Sequence, residues 1–263
     1  MKWQDLVPPI VLNLARRYLR NYGYRGSYAD WASADRAAGG YDSQEILAAA
    51  AASARRVRDG ESAGERDGQV LARPEPVWPF VAACQQAAIA GQQPVRVLDF
   101  GGGLGGSYYQ HRALLQGIDV HWTVVEQEHY VALGQAEFST AALTFNHDLA
   151  ATLVADAPDV ALLSSVLQYL PEPLAALDQI AAAQPGWIVL DRTPCTRTDA
   201  AELTVQTAHP SVYRGSYPAW LLDPRAIEAT LVARRYRCVS EFQPIDHDYR
   251  ADYRGFVYRL DQP

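Results

Sequence analysis

The residues best suited to chemistry in this 263-residue chain stand together, in Val97-Leu98-Asp99-Phe100-Gly101-Gly102-Gly103-Leu104-Gly105-Gly106. An apolar run that closes on an acid and then on glycines reads as a buried strand turning sharply into a helix. Glycine permits that turn and lets the backbone come close to a ligand. The helix start offers unpaired N–H groups and the positive end of its dipole, either to a pyrophosphate or to the carboxylate of a methionine moiety. Two templates fit the loop. Gly101, Gly103 and Gly106 satisfy G-x-G-x-x-G, and Gly101, Gly103 and Gly105 satisfy G-x-G-x-G. Asp99 weighs between them: a carboxylate just before the glycines would oppose a pyrophosphate but could bind the amino group of a methionine. Glu126 ends the next apolar run, where ribose hydroxyls are read in either case. The unit also lies behind residues 1–93, whereas a nicotinamide dehydrogenase usually begins with its loop.

Other residues could face a second reactant. Tyr169, beside Gln168, lies just past a later apolar run. Segment 192–220 is long enough to read as a lid, since long loops in compact domains are often functional. It carries Arg192, Gln206, His209, Tyr213, Tyr217 and Trp220. Arg192 could hold a carboxylate or phosphate bidentately, or simply sit in a salt bridge. Trp31 and Tyr41 could close over the loop or pack in the core. If a hydroxyl must lose a proton, His147, Asp191, His209 and Tyr213 are the candidate bases. His111, His121, His129 and His147 have no metal-ligand spacing. Asp246-His247-Asp248 with Asp252 reads as a solvated turn away from the loop's edge, so no metal is expected. No G-x-S-x-G, catalytic Cys–His pair or P-loop is present.

A scaffold must bring these groups to one edge. From residue 95, apolar runs at 95–100, 121–126, 143–145, 159–165 and 187–191 alternate with helical stretches near 107–116, 129–138 and 171–184. That alternation predicts a mostly parallel sheet with helices on both faces. Asp223-Pro224 starts a further helix, with Asp as N-cap and Pro at its first position. Runs 239–243 and 256–260 are expected to pair as a final hairpin. Before residue 93 the chain reads as helical. Segment 22–41 is a structured loop, Asp42 opens a helix to Arg58 with Glu45 completing a capping box, 60–73 is a loop, and 76–90 is a helix. The expected division is 1–93, an N-terminal helical extension or lid, and 94–263, the ligand-binding domain.

Composition narrows the rest. Net charge is −7, with 49% hydrophobic residues. An acidic surface repels phosphate backbones, so nucleic acid is not an expected partner. Arg55, Arg56 and Arg58, and Arg234, Arg235 and Arg237, read as helix ends. The three scattered cysteines predict neither disulfide nor zinc and suit the cytoplasm. No integral membrane segment is expected. Residues 6–19 form an apolar stretch that packs on the protein or associates weakly with a membrane surface. An oligomer stays open.

Several elements in order carry a resemblance. They are Gly39-Gly40-Tyr41-Asp42-Ser43, Asp99 to Gly105 followed by Tyr108-Tyr109-Gln110, Trp122 to Glu126, Ser164 to Leu170, Arg192-Thr193-Pro194, and Ser216 to Trp220. Together they resemble a group of class I S-adenosylmethionine (SAM)-dependent methyltransferases with a G-Y-D-S element ahead of the SAM loop. The resemblance implies a Rossmann-like α/β fold, with a seven-stranded, mostly parallel sheet whose last strand inserts antiparallel. It implies SAM as cofactor, S-adenosylhomocysteine (SAH) as product, and direct methyl transfer to a small-molecule or saccharide acceptor. Asp99, Gly101, Gly103 and Gly105 match the SAM loop and Glu126 the ribose acid. Asp148 or Asn146 falls where the adenine amino group is read, and Ser164 and Ser165 lie beside the cofactor. Tyr41, Tyr169, Arg192, Tyr217 and Trp220 would face the acceptor. The alternatives are a non-catalytic SAM- or nucleotide-binding module and an NAD-dependent oxidoreductase.

Overall fold

The computed structural model describes residues 22–41, 43–66, 68–209 and 215–261. Residues 6–19, Asp42 and Tyr213, singled out above, lie outside the described residues, as does the side chain of Tyr41.

The described chain runs β1 (Gly23–Tyr28), α1 (Trp31–Ala37), β2 (Gly40–Tyr41), α2 (Ser43–Arg58), β3 (Gly64–Arg66), β4 (Gln69–Leu71), α3 (Trp78–Ile89), β5 (Val95–Phe100), α4 (Gly106–His111), β6 (Val120–Val125), α5 (Glu128–Glu137), β7 (Leu143–Asn146), α6 (Leu149–Ala155) and β8 (Val160–Ser164). A short 3-10 turn, Leu167–Tyr169, leads to α7 (Pro173–Ala182), β9 (Trp187–Cys195), β10 (Glu202–Thr207), β11 (Gly215–Leu221), α8 (Pro224–Ala233), β12 (Tyr236–Phe242) and β13 (Asp252–Leu260).

Seven strands form the central sheet in the order β12-β13-β9-β8-β5-β6-β7. Neighbours from β9 to β7 are parallel, and β13 runs antiparallel to both β9 and β12. This is the Rossmann-like α/β arrangement that the resemblance implies, with the reversed strand in its expected place. The strands alternate between two cores, as a sheet covered on both faces requires. Val160, Leu162 and Val189 pack with α2, α3 and α5 on one face. Ala161, Leu163, Ile188 and Leu190 pack with α7 and α8 on the other. Asp223 caps α8 as expected, accepting from the Arg225 N–H with Pro224 in the first turn.

Phe80 anchors the first core. It is fully buried, and its ring meets His111 and Trp122 edge to face at 5.1 and 5.2 Å. Phe80→Ala is expected to remove about 3–5 kcal/mol of stability, read as a shift in urea midpoint. A loss below about 1 kcal/mol would mean that α3 does not pack on the sheet as described.

Two expectations change before residue 93 and after β9. Segment 22–41 is not a loop but β1, α1 and β2, and 60–73 contains the β3–β4 hairpin. Segment 192–220 is not an irregular lid either. It extends β9 and then forms the β10–β11 hairpin. These strands make a second, four-stranded sheet in the order β1-β10-β11-β2. Its pairs include Tyr24↔Gln206 and Gly40↔Ser216, so backbone pairing crosses the expected boundary at residue 93. Each segment alone offers one short strand or hairpin, and a single hairpin is marginal in water. Together they make a sheet, with α1 packed against β10 and β11 through Ala34, Trp31 and Leu203.

No helix among the described residues is long and apolar enough to cross a membrane. Arg55 pairs with Glu137 and Arg234 with Asp178, both on exposed surface.

Candidate functional site

A cavity of about 1670 Å³ opens at the carboxyl edge of the parallel strands, beneath the four-stranded sheet. In open α/β sheets that edge is where ligands bind.

The glycine loop forms its floor. Gly101, Gly103 and Gly105 all have left-handed φ, at 77°, 58° and 85°. A side chain at Gly101 would collide with Val166, and one at Gly105 would press on Leu143 at 2.9 Å. At Gly103 a Cβ would meet nothing within 4 Å, so the backbone itself faces open space. Asp99 lies under the loop, 1% exposed, and its carboxylate sits where a Cβ on Gly102 would fall. Its Oδ2 accepts from Trp122 Nε1 at 3.1 Å. Burial pushes its pKa up to about 7; the Trp122 hydrogen bond opposes this and the nearby Glu126 adds to it. Trp122 in turn stacks on His111. The Val77 N–H donates to His111 Nε2 at 2.9 Å, so Nδ1 carries the proton and donates to the Ser107 carbonyl at 2.7 Å. Burial lowers the His111 pKa to about 4, which keeps the ring neutral.

Glu126 follows β6, next to the loop. Burial raises its pKa, while the Gln127 and Gly103 N–H groups and His129 pull it back. Its Oε2 accepts from Gln127 N–H at 2.6 Å. Asp99, Gly101, Gly103, Glu126, Ser164 and Ser165 all line the cavity. Asn146, Asp148 and Gly105 are not among its lining residues. Asp148 instead caps α6, accepting from Ala151 N–H at 2.9 Å, and Asn146 Oδ1 accepts from Asp148 N–H.

Just past β8 and within β9 the backbone leaves the extended region beside the cavity. Ser165 and Arg192 carry left-handed φ of 54° and 53° without being glycine. Such a residue costs roughly 1–2 kcal/mol and persists only where its surroundings hold it. The β9–β13 register shifts here: Thr193 faces Arg254 and Leu190 faces Phe256, leaving Asp191 and Arg192 opposite Gly255 alone. This bulge re-aims both side chains. Ser164 donates to Asp191 Oδ2 at 2.8 Å. Burial raises the Asp191 pKa, against the pull of Ser164 and Arg192. Arg192 grips Asp246 through Nε at 2.8 Å and a second nitrogen at 3.3 Å.

The far wall belongs to the second sheet and its neighbours. Tyr169 donates to Gln206 at 2.9 Å and meets the Tyr217 ring edge to face. His209 and Trp31 also line the cavity, and His209 packs its ring on Tyr22. His147 lines it from an exposed position. Trp220 does not; it packs between the two sheets. Asp246, His247 and Asp248 form a solvent-accessible turn as expected, but not away from the loop's edge: all three line the cavity. The reason is topological. Because β13 runs backwards, the turn before it comes out at the carboxyl edge of the parallel strands. Tyr24 and Tyr253 were also missed. Their only signal was alternation within β1 and β13.

No family model and no curated protein sequence matches the chain. Solved structures do. The glycopeptide N-methyltransferase MtfA complexed with SAM is 16% identical over 69% of this chain and 94% of that one, with a TM-score of 0.49. The N-terminal domain of EvdMO1, in the presence of SAH and D-fucose, is 17% identical over 84% and 98%, at 0.47. Magnesium protoporphyrin IX methyltransferase (ChlM) from Synechocystis PCC 6803 with bound SAM is 15% identical over 68% and 76%, at 0.45.

Proposed function

We propose that this chain is a SAM-dependent methyltransferase that transfers a methyl group directly to a small-molecule or saccharide acceptor. One juxtaposition carries the reading. A buried acid, a left-handed glycine loop and a second acid stand side by side at the carboxyl edges of β5 and β6, facing one cavity. The Asp99 carboxylate would receive the amino group of the methionine moiety. Glu126 retains lone pairs for ribose hydroxyls, and the bare backbone at Gly103 leaves room beside them. When bound, SAM supplies a methyl group already activated by its sulfonium. The chain's part is then to orient the acceptor, exclude water and remove a proton where the acceptor is a hydroxyl.

Among the candidate bases within the described residues, Asp191 is best equipped. It lines the cavity, its pKa is raised by burial, and Ser164 fixes one of its oxygens. The second sheet serves as the cap, with Tyr169, Tyr217 and Arg192 on the acceptor side. We place the chain in the narrower methyltransferase group marked by its G-Y-D-S, glycine-loop and S-Y-P-x-W elements. We also place it in the cytoplasm, in keeping with its three free cysteines.

Calorimetric titration with SAM, SAH and NAD tests the assignment. Micromolar binding of SAM and SAH without NAD is the expected result. NAD binding without SAM would turn the reading to an oxidoreductase. SAM binding without turnover on any acceptor would turn it to a non-catalytic module.

A further inference from the structure

Tyr24 on β1 and Tyr253 on β13 are 6% and 8% exposed, yet both line the cavity. Their hydroxyl oxygens lie 2.8 Å apart. Each hydroxyl brings one hydrogen and two lone pairs. The contact between them uses one of the two hydrogens. Among the described residues, no acceptor bonds the other. A buried hydroxyl hydrogen without an acceptor is unfavourable, and the open side of this pair is the cavity.

The surroundings choose the kind of oxygen that would complete the pair. Burial and the nearby Asp248 push the Tyr24 phenol up; burial and Asp246 do the same for Tyr253, so both stay protonated. Asp246 and Asp248 also make this end hostile to an anion. The neighbouring cations are already engaged: Arg192 grips Asp246 with two nitrogens, and Arg66 is shared between Asp246 and Glu75. Trp31 and Tyr217 add aromatic faces to the same cavity. An uncharged ring bearing several hydroxyls satisfies all of this: its C–H faces suit the aromatic walls, and its hydroxyls can both accept and donate.

We infer that the Tyr24–Tyr253 hydroxyl pair is an acceptor subsite, which binds one hydroxyl of an uncharged polyhydroxylated substrate by donating a hydrogen bond to it. The inference rests on the methyltransferase reading and narrows its acceptor. The pair touches substrate and selects it; the chemistry of proton removal lies elsewhere.

Saturation-transfer NMR tests it on the intact protein, with and without SAH. The probes are neutral methyl hexopyranosides, the matching uronates and the matching 6-phosphates. A neutral glycoside is expected to bind, and Tyr24→Phe and Tyr253→Phe are each expected to weaken it about three- to tenfold, with SAH affinity unchanged and Tm lowered by no more than a few degrees, the cost of the one buried hydrogen bond each removes. Two variants are used because Tyr24 also sits where the second sheet meets the core, and a loss of glycoside affinity in either, with SAH affinity retained, supports the subsite. Three results would overturn it: no neutral glycoside bound, binding unchanged in both variants, or an anionic probe bound more tightly. A Tm drop with unchanged affinity would make the pair a structural clasp and overturn it too. Glycoside binding that depends on the pair, with no SAH binding, would leave the subsite standing and sink the cofactor assignment instead.

Discussion

Asp99→Asn is expected to make the ligand-free protein more stable above pH 7 while weakening SAM binding by about 30- to 1000-fold. The binding loss follows from removing the charged partner of an ammonium in a buried site, worth about 2–4 kcal/mol. The stability gain follows from the pKa. Asp99 is 1% exposed and titrates near 7 when folded, whereas a free aspartate titrates near ~3.9. Below pH 4 both states are protonated and the residue is neutral to stability. Between about pH 4 and 7 the unfolded chain ionises first, so stability falls as pH rises, by up to about 1.4 kcal/mol per unit. Above 7 the loss levels off at a few kcal/mol. Asparagine removes this dependence and can still accept from Trp122. The check is Tm against pH for both proteins, with calorimetry alongside. A Tm difference that does not grow between pH 4 and 7 would mean that Asp99 is not held in its neutral form.

Asp191→Asn is expected to lower kcat by about 10²- to 10⁴-fold, the usual span for a general base, with SAM affinity unchanged. Asp191 must be ionised to take a proton, and burial raises its pKa. Wild-type turnover should therefore climb with pH through that raised value. Ser164→Ala removes a hydrogen bond that favours the carboxylate, so it should shift the climb to higher pH while sparing most of the plateau. An Asp191→Asn enzyme with wild-type turnover would move the role to His147, His209 or Tyr213.

What could be read in advance was what is written locally. The acid, the glycines and Glu126 all stand within one strand–turn–helix–strand unit, where spacing alone fixes geometry. The alternation of apolar runs gave the parallel sheet for the same reason. The far wall of the cavity was not legible, because its parts meet only through tertiary pairing. Tyr24 and Tyr253 are 229 positions apart. The turn carrying Asp246 reads as a hairpin tip away from the loop, and only the reversed run of β13 beside β9 returns it to the same edge. Gly-rich β1, and β10 with the Pro218-bearing β11, resembled loop because none is a convincing strand without its partners. The bulge at Asp191 and Arg192 left no mark in residue type, since neither residue is the glycine such a backbone usually recruits.

The shared second sheet also governs how the chain reaches its final form. Its outer strands come from residues 23–41 and its inner hairpin from 202–221, so it cannot close until both ends of a long stretch of chain have met. Loop-closure entropy makes such non-local pairing slow. The β10–β11 hairpin emerges later in synthesis than the strands that cover it, and its two edges are sealed only by β1 and β2. A fragment beginning after residue 41 would keep the whole seven-stranded sheet yet leave those edges bare, as templates for another chain. Shortening the protein to its apparent nucleotide-fold core should therefore yield aggregates rather than a smaller soluble domain.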